Sequence, residues 1–263
     1  MSSIYETLLY EVKDRVGIIT INRPKQLNAL NSQVYRDLYC ILKQIERDDQ
    51  VSAVIITGSG EKAFIAGADI TEMKNMTANE ARSFAILGKK VGIAIKEMPQ
   101  PVIAAVNGFA LGGGLELALS CDLILAVEKA KFGLPEINLG IIPGNGGTQR
   151  VTRLTNIIIA KELILFGGRI NAQRACELGL INKVVTSEEG LLAEAMEWAG
   201  KLVQKSVIAL SLAKSAINNG IDASLETALS YELQCFAQCF ASRDQEEGMT
   251  AFLERRIPVF KGQ

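Results

Sequence analysis

The chain contains no histidine in 263 residues. That absence removes Ser–His and Cys–His nucleophile pairs and every histidine-ligated metal scheme. Acid–base work near neutral pH then falls to perturbed carboxylates, lysine, tyrosine or cysteine. A dominant charge is also lacking, since 28 basic and 29 acidic residues give a formal net charge of -1. No basic run is dense enough to track a phosphate backbone, so nucleic acid is not an expected partner. No apolar run reaches membrane-spanning length uninterrupted, and MSSIYETLLYEVKDR lacks the basic and apolar regions of a signal peptide. A cytoplasmic protein without a membrane partner is the expectation. The five cysteines are odd in number and widely spaced, and Cys235 and Cys239 have no histidine to complete a zinc site. Reduced thiols and no bound metal follow.

What the chain does have is length and a regular alternation. Its size fits one large domain, or one domain with a smaller appendage. VGIITI (16–21), VSAVIITGS (51–59), PVIAAVNG (101–108) and DLILAV (122–127) read as covered strands. Between them, 32–48 carries Val34, Leu38, Ile41, Leu42 and Ile45 at helical spacing, and 78–98 is helical as well. AQRACELGLINKVV (172–185) adds a short helix and a strand. Such alternation predicts parallel βαβ units, hence an α/β fold. From about residue 188 only helical patterns remain. The expected division is a core over 1–190 and a helical region over 191–263, apolar on several faces and suited to packing on the core or on another subunit.

Three glycine-bearing loops hold the candidate site residues. In NGFALGGGLELALSCD (107–122), Gly112, Gly113 and Gly114 run into a helix-like segment that holds one carboxylate, Glu116, among Leu115, Leu117, Ala118 and Leu119. A helix start exposes free N–H groups, and glycine lets a ligand approach them. A carboxylate buried there without a partner has a raised pKa, as general acid–base work requires. Glu116 turned outward as a first-turn acid is an equal alternative. In KFGLPEINLGIIPGNGGTQR (131–150), Glu136 follows Pro135 in an extended, apolar stretch, and Gly144, Gly146 and Gly147 lead into a helix at TQRVTRL. Taken alone, Glu136 reads better as a surface-loop acid. SGEKAFIAGADITEM (59–73) offers the N–H groups of Gly67 or Ala68, with Asp69 as a helix cap. None of the loops has the GxGxxG or GxxxxGK[ST] spacing of nucleotide sites.

Together these loops resemble the enoyl-CoA hydratase (crotonase) family. The matching pieces are NRPKQLNALN (22–31), GSGEKAFIAGADITEM (58–73), PVIAAVNGFALGGGLELALSCDLILA (101–126), FGLPEINLGIIPGNGGTQR (132–150) and AQRACELGLINKVV (172–185). The likeness covers essentially the whole chain and leans toward the family's bacterial short-chain hydratases. It implies a crotonase-like spiral of ββα repeats with a C-terminal helical trimerisation region, assembled as a trimer or dimer of trimers. The implied activity is that of a hydro-lyase: reversible syn addition of water to a short trans-2-enoyl-CoA, giving the (3S)-3-hydroxyacyl-CoA. No cofactor is implied, because coenzyme A is part of the substrate. By the same resemblance Glu116 holds and deprotonates the water, and Glu136 exchanges a proton with the α-carbon. The N–H groups of Ala68 and Gly113 form an oxyanion hole. Ala66, Gly67, Asp69, Ile70, Gly112 and Gly144 contact the CoA ester, with Ala66 near the adenine and Gly144 letting the backbone pass close to the site.

Two positions depart from the family pattern. Leu115 stands in place of a cysteine, and Asn145 in place of a phenylalanine or aspartate; both are expected to bear on substrate range. A Δ3,Δ2-enoyl-CoA isomerase, or a hydratase for branched or cyclic acyl groups, would use the same glutamate pair. A non-enzymatic RNA-binding relative fits the intact pair and the balanced charge less well.

Overall fold

The computed structural model describes residues 5–263. A six-stranded sheet forms its centre: β1 (Leu8–Lys13), β2 (Val16–Ile21), β3 (Ala53–Gly58), β5 (Val102–Val106), β7 (Leu123–Val127) and β10 (Lys183–Val185), adjacent in that order. All neighbours run parallel except β1, which is antiparallel to β2. The register sets Ile19 beside Ile56, Ile55 beside Ile103 and Ala105 beside Leu125. The parallel strands are covered on both faces, which is why they read as branched apolar runs without alternation.

α1 (Ser32–Ile45) packs against β1 and against α3 (Ala78–Glu97). Asn31 caps α1 by accepting the Val34 N–H at 2.9 Å, and Val34, Leu38, Ile41, Leu42 and Ile45 form its buried stripe. Thr77 and Glu80 close a reciprocal capping box at the start of α3. On the sheet's other contacts, α8 (Glu188–Val203) packs against β2, β3, β5, β7 and β10, burying Leu191, Ala195 and Ala199. α8 crosses residue 190 as part of the core. The helices after it are α9 (Val207–Gly220), α10 (Leu225–Cys239) and α11 (Arg243–Glu254), and α9 and α10 pack together.

A second sheet supplies the extra strand of the ββα repeats that the resemblance implies, though the residue pattern alone did not show it. Its strands β4 (Ala63–Ile65), β6 (Phe109–Leu111), β8 (Lys131–Gly133) and β9 (Arg169–Asn171) lie in that order, with β8 and β9 antiparallel. Each of β3, β5 and β7 is followed by one of these short strands and then a helix, giving repeated ββα units. The remaining helices are α2 (Ile70–Met73), α4 (Gly113–Ala118), α5 (Gly147–Leu154), α6 (Ile157–Leu165) and α7 (Ala172–Glu177). Since β4, β6 and β8 are parallel neighbours, the loops leaving them come out side by side. That topology builds the site.

Candidate active site

The loop after β4 holds Ala66, Gly67, Ala68 and Asp69; the loop after β6 holds Gly112 and Gly113; the loop after β8 leads to Glu136. Gly112 N–H donates to the Gly133 carbonyl at 2.9 Å and locks the second loop to the third. Gly112 sits at φ 50°, and a Cβ on it would lie 2.7 Å from Glu136 Oε1. Only glycine fits between the two loops. Gly114 is as constrained, because a side chain there would run into the Ile65 carbonyl.

Ala68 forms a bridge with Leu30: the Leu30 N–H donates to Gly67 O at 2.9 Å and the Asp69 N–H donates to Leu30 O at 2.8 Å. Those bonds leave the Ala68 N–H turned the other way. It lies 3.9 Å from the point where a Gly113 Cβ would stand. Gly113 opens α4, so its N–H has no partner within the helix. Two backbone donors therefore border one small space. Asp69 caps α2 through the Thr71 N–H and pairs with Arg23 at 3.0 Å. Burial pushes its carboxyl up, but the Arg23 guanidinium and the Thr71 N–H outweigh that and hold it below the ordinary value. Ile70, next along, is exposed.

Glu116 faces inward at 2 % exposure, which decides against the outward reading. Its Oε1 accepts the N–H groups of Asn145 at 2.8 Å and Gly147 at 2.7 Å. Burial raises its pKa, and those two bonds together with the Arg150 guanidinium offset only part of the rise. The sequence neighbourhood of Glu116 offers no cation; the fold brings Arg150 in from α5. Within the chain, a close approach to Glu116 falls at Gly147. A Cβ on Gly147 would stand 3.0 Å from Glu116 Oε1, whereas one on Gly144 would only touch Ala85 at 3.8 Å.

Glu136 lies in a 3-10 turn, Pro135–Leu139, and not in extended chain. Pro135 starts that turn because its fixed φ suits a first helical position. The Glu136 carboxylate is half-buried, and its Oε2 is enclosed with no donor among the described residues. Burial pushes its pKa up to about 7; the residue's own N–H opposes this and the charge of Glu116 adds to it. The two acids thus differ: one is gripped by N–H groups, the other is left nearly bare.

The sequence pattern gave no notice of Tyr35. It lies on the buried face of α1, accepts Asn145 Nδ2 at 2.9 Å, and packs edge-on against Phe84 with ring centroids 5.3 Å apart. Its hydroxyl is 3.5 Å from the Gly113 Cβ position. Burial, with the charge of Glu116 adding, pushes the phenol up and keeps it neutral. Asn145 therefore binds by its backbone to Glu116 and by its side chain to Tyr35, which ties it to the carboxylate more directly than a position of mere substrate range. Leu115 is buried in the core. Beyond Phe84 lies a cavity of about 700 Å³ whose other walls include Ser32, Glu72, Met76, Ser83 and Leu87. Among the described residues no three Cys, Asp or Glu side chains cluster as metal ligands would, and no helix is long and apolar enough to cross a membrane.

Two N–H donors with no partner among the described residues, beside one buried and one half-buried carboxylate of unlike surroundings, define a class of enzyme. Such an arrangement is chemically suited to proton transfer next to a carbonyl whose oxygen gains charge. The chain belongs to the enoyl-CoA hydratase/isomerase family, whose profile matches residues 11–263. It is 49% identical over 257 residues to a short-chain-enoyl-CoA hydratase of Clostridium acetobutylicum, covering 97% of this chain and 98% of that one. It is equally similar, 49% over 256 residues, to a crotonyl-CoA hydratase of Syntrophomonas wolfei, with coverage of 97% and 98%. The crystal structure of an enoyl-CoA hydratase from Bacillus anthracis superposes with a TM-score of 0.94 at 43% identity, over 98% of this chain and 100% of the other.

Proposed function

We propose that the protein catalyses reversible hydration of a short trans-2-enoyl-CoA, with Glu116 and Glu136 as its acid–base pair. The observation that carries this reading is the asymmetry of the two carboxylates beside the Ala68 and Gly113 N–H groups. The thioester oxygen sits between those two donors. Glu116, anchored at Oε1, keeps Oε2 for a water. It takes a proton as the water oxygen bonds to the β-carbon and the double-bond electrons move onto the thioester oxygen. The enolate then collapses, and its α-carbon takes the proton that Glu136 holds. In the reverse direction Glu136 removes the α-proton and Glu116 returns the other to the departing hydroxide. Stabilising the enolate oxygen with preset donors is the largest expected contribution.

The CoA portion passes along Ala66, Gly67, Asp69 and Ile70, with Gly112 and Gly144 against the thioester side. Coenzyme A comes with the substrate, and no other cofactor is assigned. The unpaired state of all five cysteines suits a reducing cytoplasm. Exposed Phe236, Phe252, Leu253 and Ile257 on and after the last helices suit burial against copies of the chain in a trimer or dimer of trimers.

An isomerase would use the same pair without adding water. The anchored Glu116, with one oxygen unclaimed by any protein donor, favours a fixed water and hence hydration. The test is to incubate crotonyl-CoA and a 3-enoyl-CoA side by side in heavy water, with products followed by mass spectrometry. The expected main product from crotonyl-CoA is 3-hydroxybutyryl-CoA, with solvent exchange at the α-carbon in the dehydration direction. Fast conversion of the 3-enoyl ester with negligible hydration of crotonyl-CoA would reverse the assignment. Reaction of only a branched or cyclic ester would keep the chemistry and remove the short-chain label.

A further inference from the structure

We propose that Tyr35 is a positioning residue for this hydration: through the Asn145 side chain it holds the turn whose backbone N–H groups grip Glu116. Asn145 is fixed from three separate elements. Its N–H donates to Glu116 of α4 at 2.8 Å, its carbonyl accepts Arg150 Nη1 of α5 at 2.6 Å, and its Nδ2 meets Tyr35 of α1 at 2.9 Å. Tyr35 is the rigid end of that chain of contacts. It is 2 % exposed and wedged against Phe84 of α3, so its hydroxyl has nowhere else to go.

The arrangement is costly for a merely structural one. Asn145 Oδ1 is enclosed without a donor among the described residues, and a buried, unpaired amide oxygen destabilises the fold. Gly88, inside α3, lies where a Cβ would fall on that same amide. A glycine within a helix is unfavourable relative to alanine. An apolar side chain at 145 with alanine at 88 would avoid both losses. What the amide achieves instead is a fixed Asn145 peptide, and that peptide carries one of the two donors on Glu116. A polar group kept against the interest of packing points to the site it serves.

The inference rests on Glu116 acting as the base, so Glu116→Gln is measured alongside. Tyr35→Phe keeps the ring and its contact with Phe84 and deletes only the hydroxyl. The expected result is a kcat lower by about five- to tenfold, the scale of one net hydrogen bond, with KM for crotonyl-CoA nearly unchanged. Loosening the Asn145 N–H also favours the protonated Glu116, so the acid limb of the kcat–pH profile moves to higher pH. Asn145→Ala should show the same two effects, and adding Tyr35→Phe to it should change little more. Thermal melts separate this from packing, since a structural role would lower the melting temperature and leave the pH limb in place. Wild-type kcat and pH limb in Tyr35→Phe, a change confined to KM, or simple additivity in the double variant would overturn the inference alone. Near-normal turnover in Glu116→Gln would overturn the base assignment and this inference with it. Should Tyr35→Phe fail to fold, Asn145→Ala decides by the same kcat and pH criteria.

Discussion

Gly147 donates its N–H to Glu116 Oε1 at 2.7 Å, and a Cβ on the same residue would stand 3.0 Å from that oxygen. The donor and the missing side chain are one feature, because a backbone N–H reaches a buried carboxylate this closely only where nothing projects beside it. The same Cβ would also meet Leu134 and Pro143 at 3.0 Å, so the turn cannot simply shift aside. Gly147→Ala should therefore lower kcat by at least about tenfold, a loss of about 1.4 kcal/mol of transition-state stabilisation. Steady-state kinetics on crotonyl-CoA, with circular dichroism as a check on folding, would show it. Unchanged kcat would mean that the Gly147 bond does not set the working position of Glu116.

The carboxylates themselves make a sharper pair of tests. Glu116→Gln and Glu136→Gln should each reduce hydration by about 10²–10⁴-fold while CoA esters still bind, because amides cannot exchange the required protons. Binding by calorimetry and turnover by absorbance separate the two effects. Near wild-type turnover in either variant would remove that residue from the mechanism.

Glu136 also carries a pH signature. Its pKa is raised from 4.5 to about 7, so between those values the folded state binds more protons than the unfolded one. The contribution of this carboxyl to stability is fully present below about 4.5 and is lost as pH rises through about 7. Relative to wild type, Glu136→Gln should gain stability across that window and level off above it, as read by melting temperature against pH. In turnover the pair must hold one proton in either direction, on Glu136 for hydration and on Glu116 for dehydration, and the equilibrium constant of the hydration does not change with pH. The kcat/KM profiles of the two directions should therefore run parallel, both falling as pH rises through about 7. No fall through that region would contradict the proton-donor role.

How much of this was legible beforehand divides along physical lines. The large sheet announced itself because β2, β3, β5 and β7 are long enough, and branched enough, to stand out from helical patterns. The second sheet did not, since strands of three residues such as Ala63–Ile65 and Lys131–Gly133 are too short to show any period. Glu116 and Glu136 were legible as acids among apolar neighbours beside glycines. Their surroundings were open from spacing alone, and the family resemblance rather than periodicity assigned their roles. Pro135 turned what read as extended chain into a 3-10 turn. Tyr35 and Arg150 reach the site through long-range topology, and a tyrosine on an apolar helix stripe looks in sequence like any other core residue.

The exposed apolar side chains of the last helices lead to a prediction about assembly. Phe252, Leu253 and Ile257 are each more than four-fifths exposed, at 83%, 81% and 87%. An isolated surface rarely carries such residues together. Light scattering should give a closed oligomer of three or six 28.4 kDa chains, with six expected. Phe252→Asp should shift the population toward smaller species. A monomer at micromolar concentration in the wild type would defeat the proposal.

Lys214 of α9 reaches back to the core and places its ammonium 2.7 Å from Ile95 O, 3.1 Å from Gln100 O and 2.7 Å from Asp122 Oδ2. Asp122 Oδ2 in turn accepts the Val102 N–H at 2.7 Å, so one cation binds the end of α3, the entry to β5 and the start of β7. The lysine side chain is only 9% exposed, and burial pushes the Asp122 carboxyl up even though Lys214 opposes that shift. Exposed ion pairs contribute little, but removing one partner of an enclosed pair leaves the other charge and its carbonyl neighbours unmatched. Lys214→Met keeps most of the side-chain volume and deletes the charge. It should destabilise the protein by about 3–5 kcal/mol. Adding Asp122→Asn should recover part of that loss, because the stranded carboxylate is then gone while an acceptor for Val102 remains. Denaturant titrations of the single and double variants measure both quantities. A loss below about 1 kcal/mol in Lys214→Met, the range of a surface pair, would show that this latch does not hold α9 to the core.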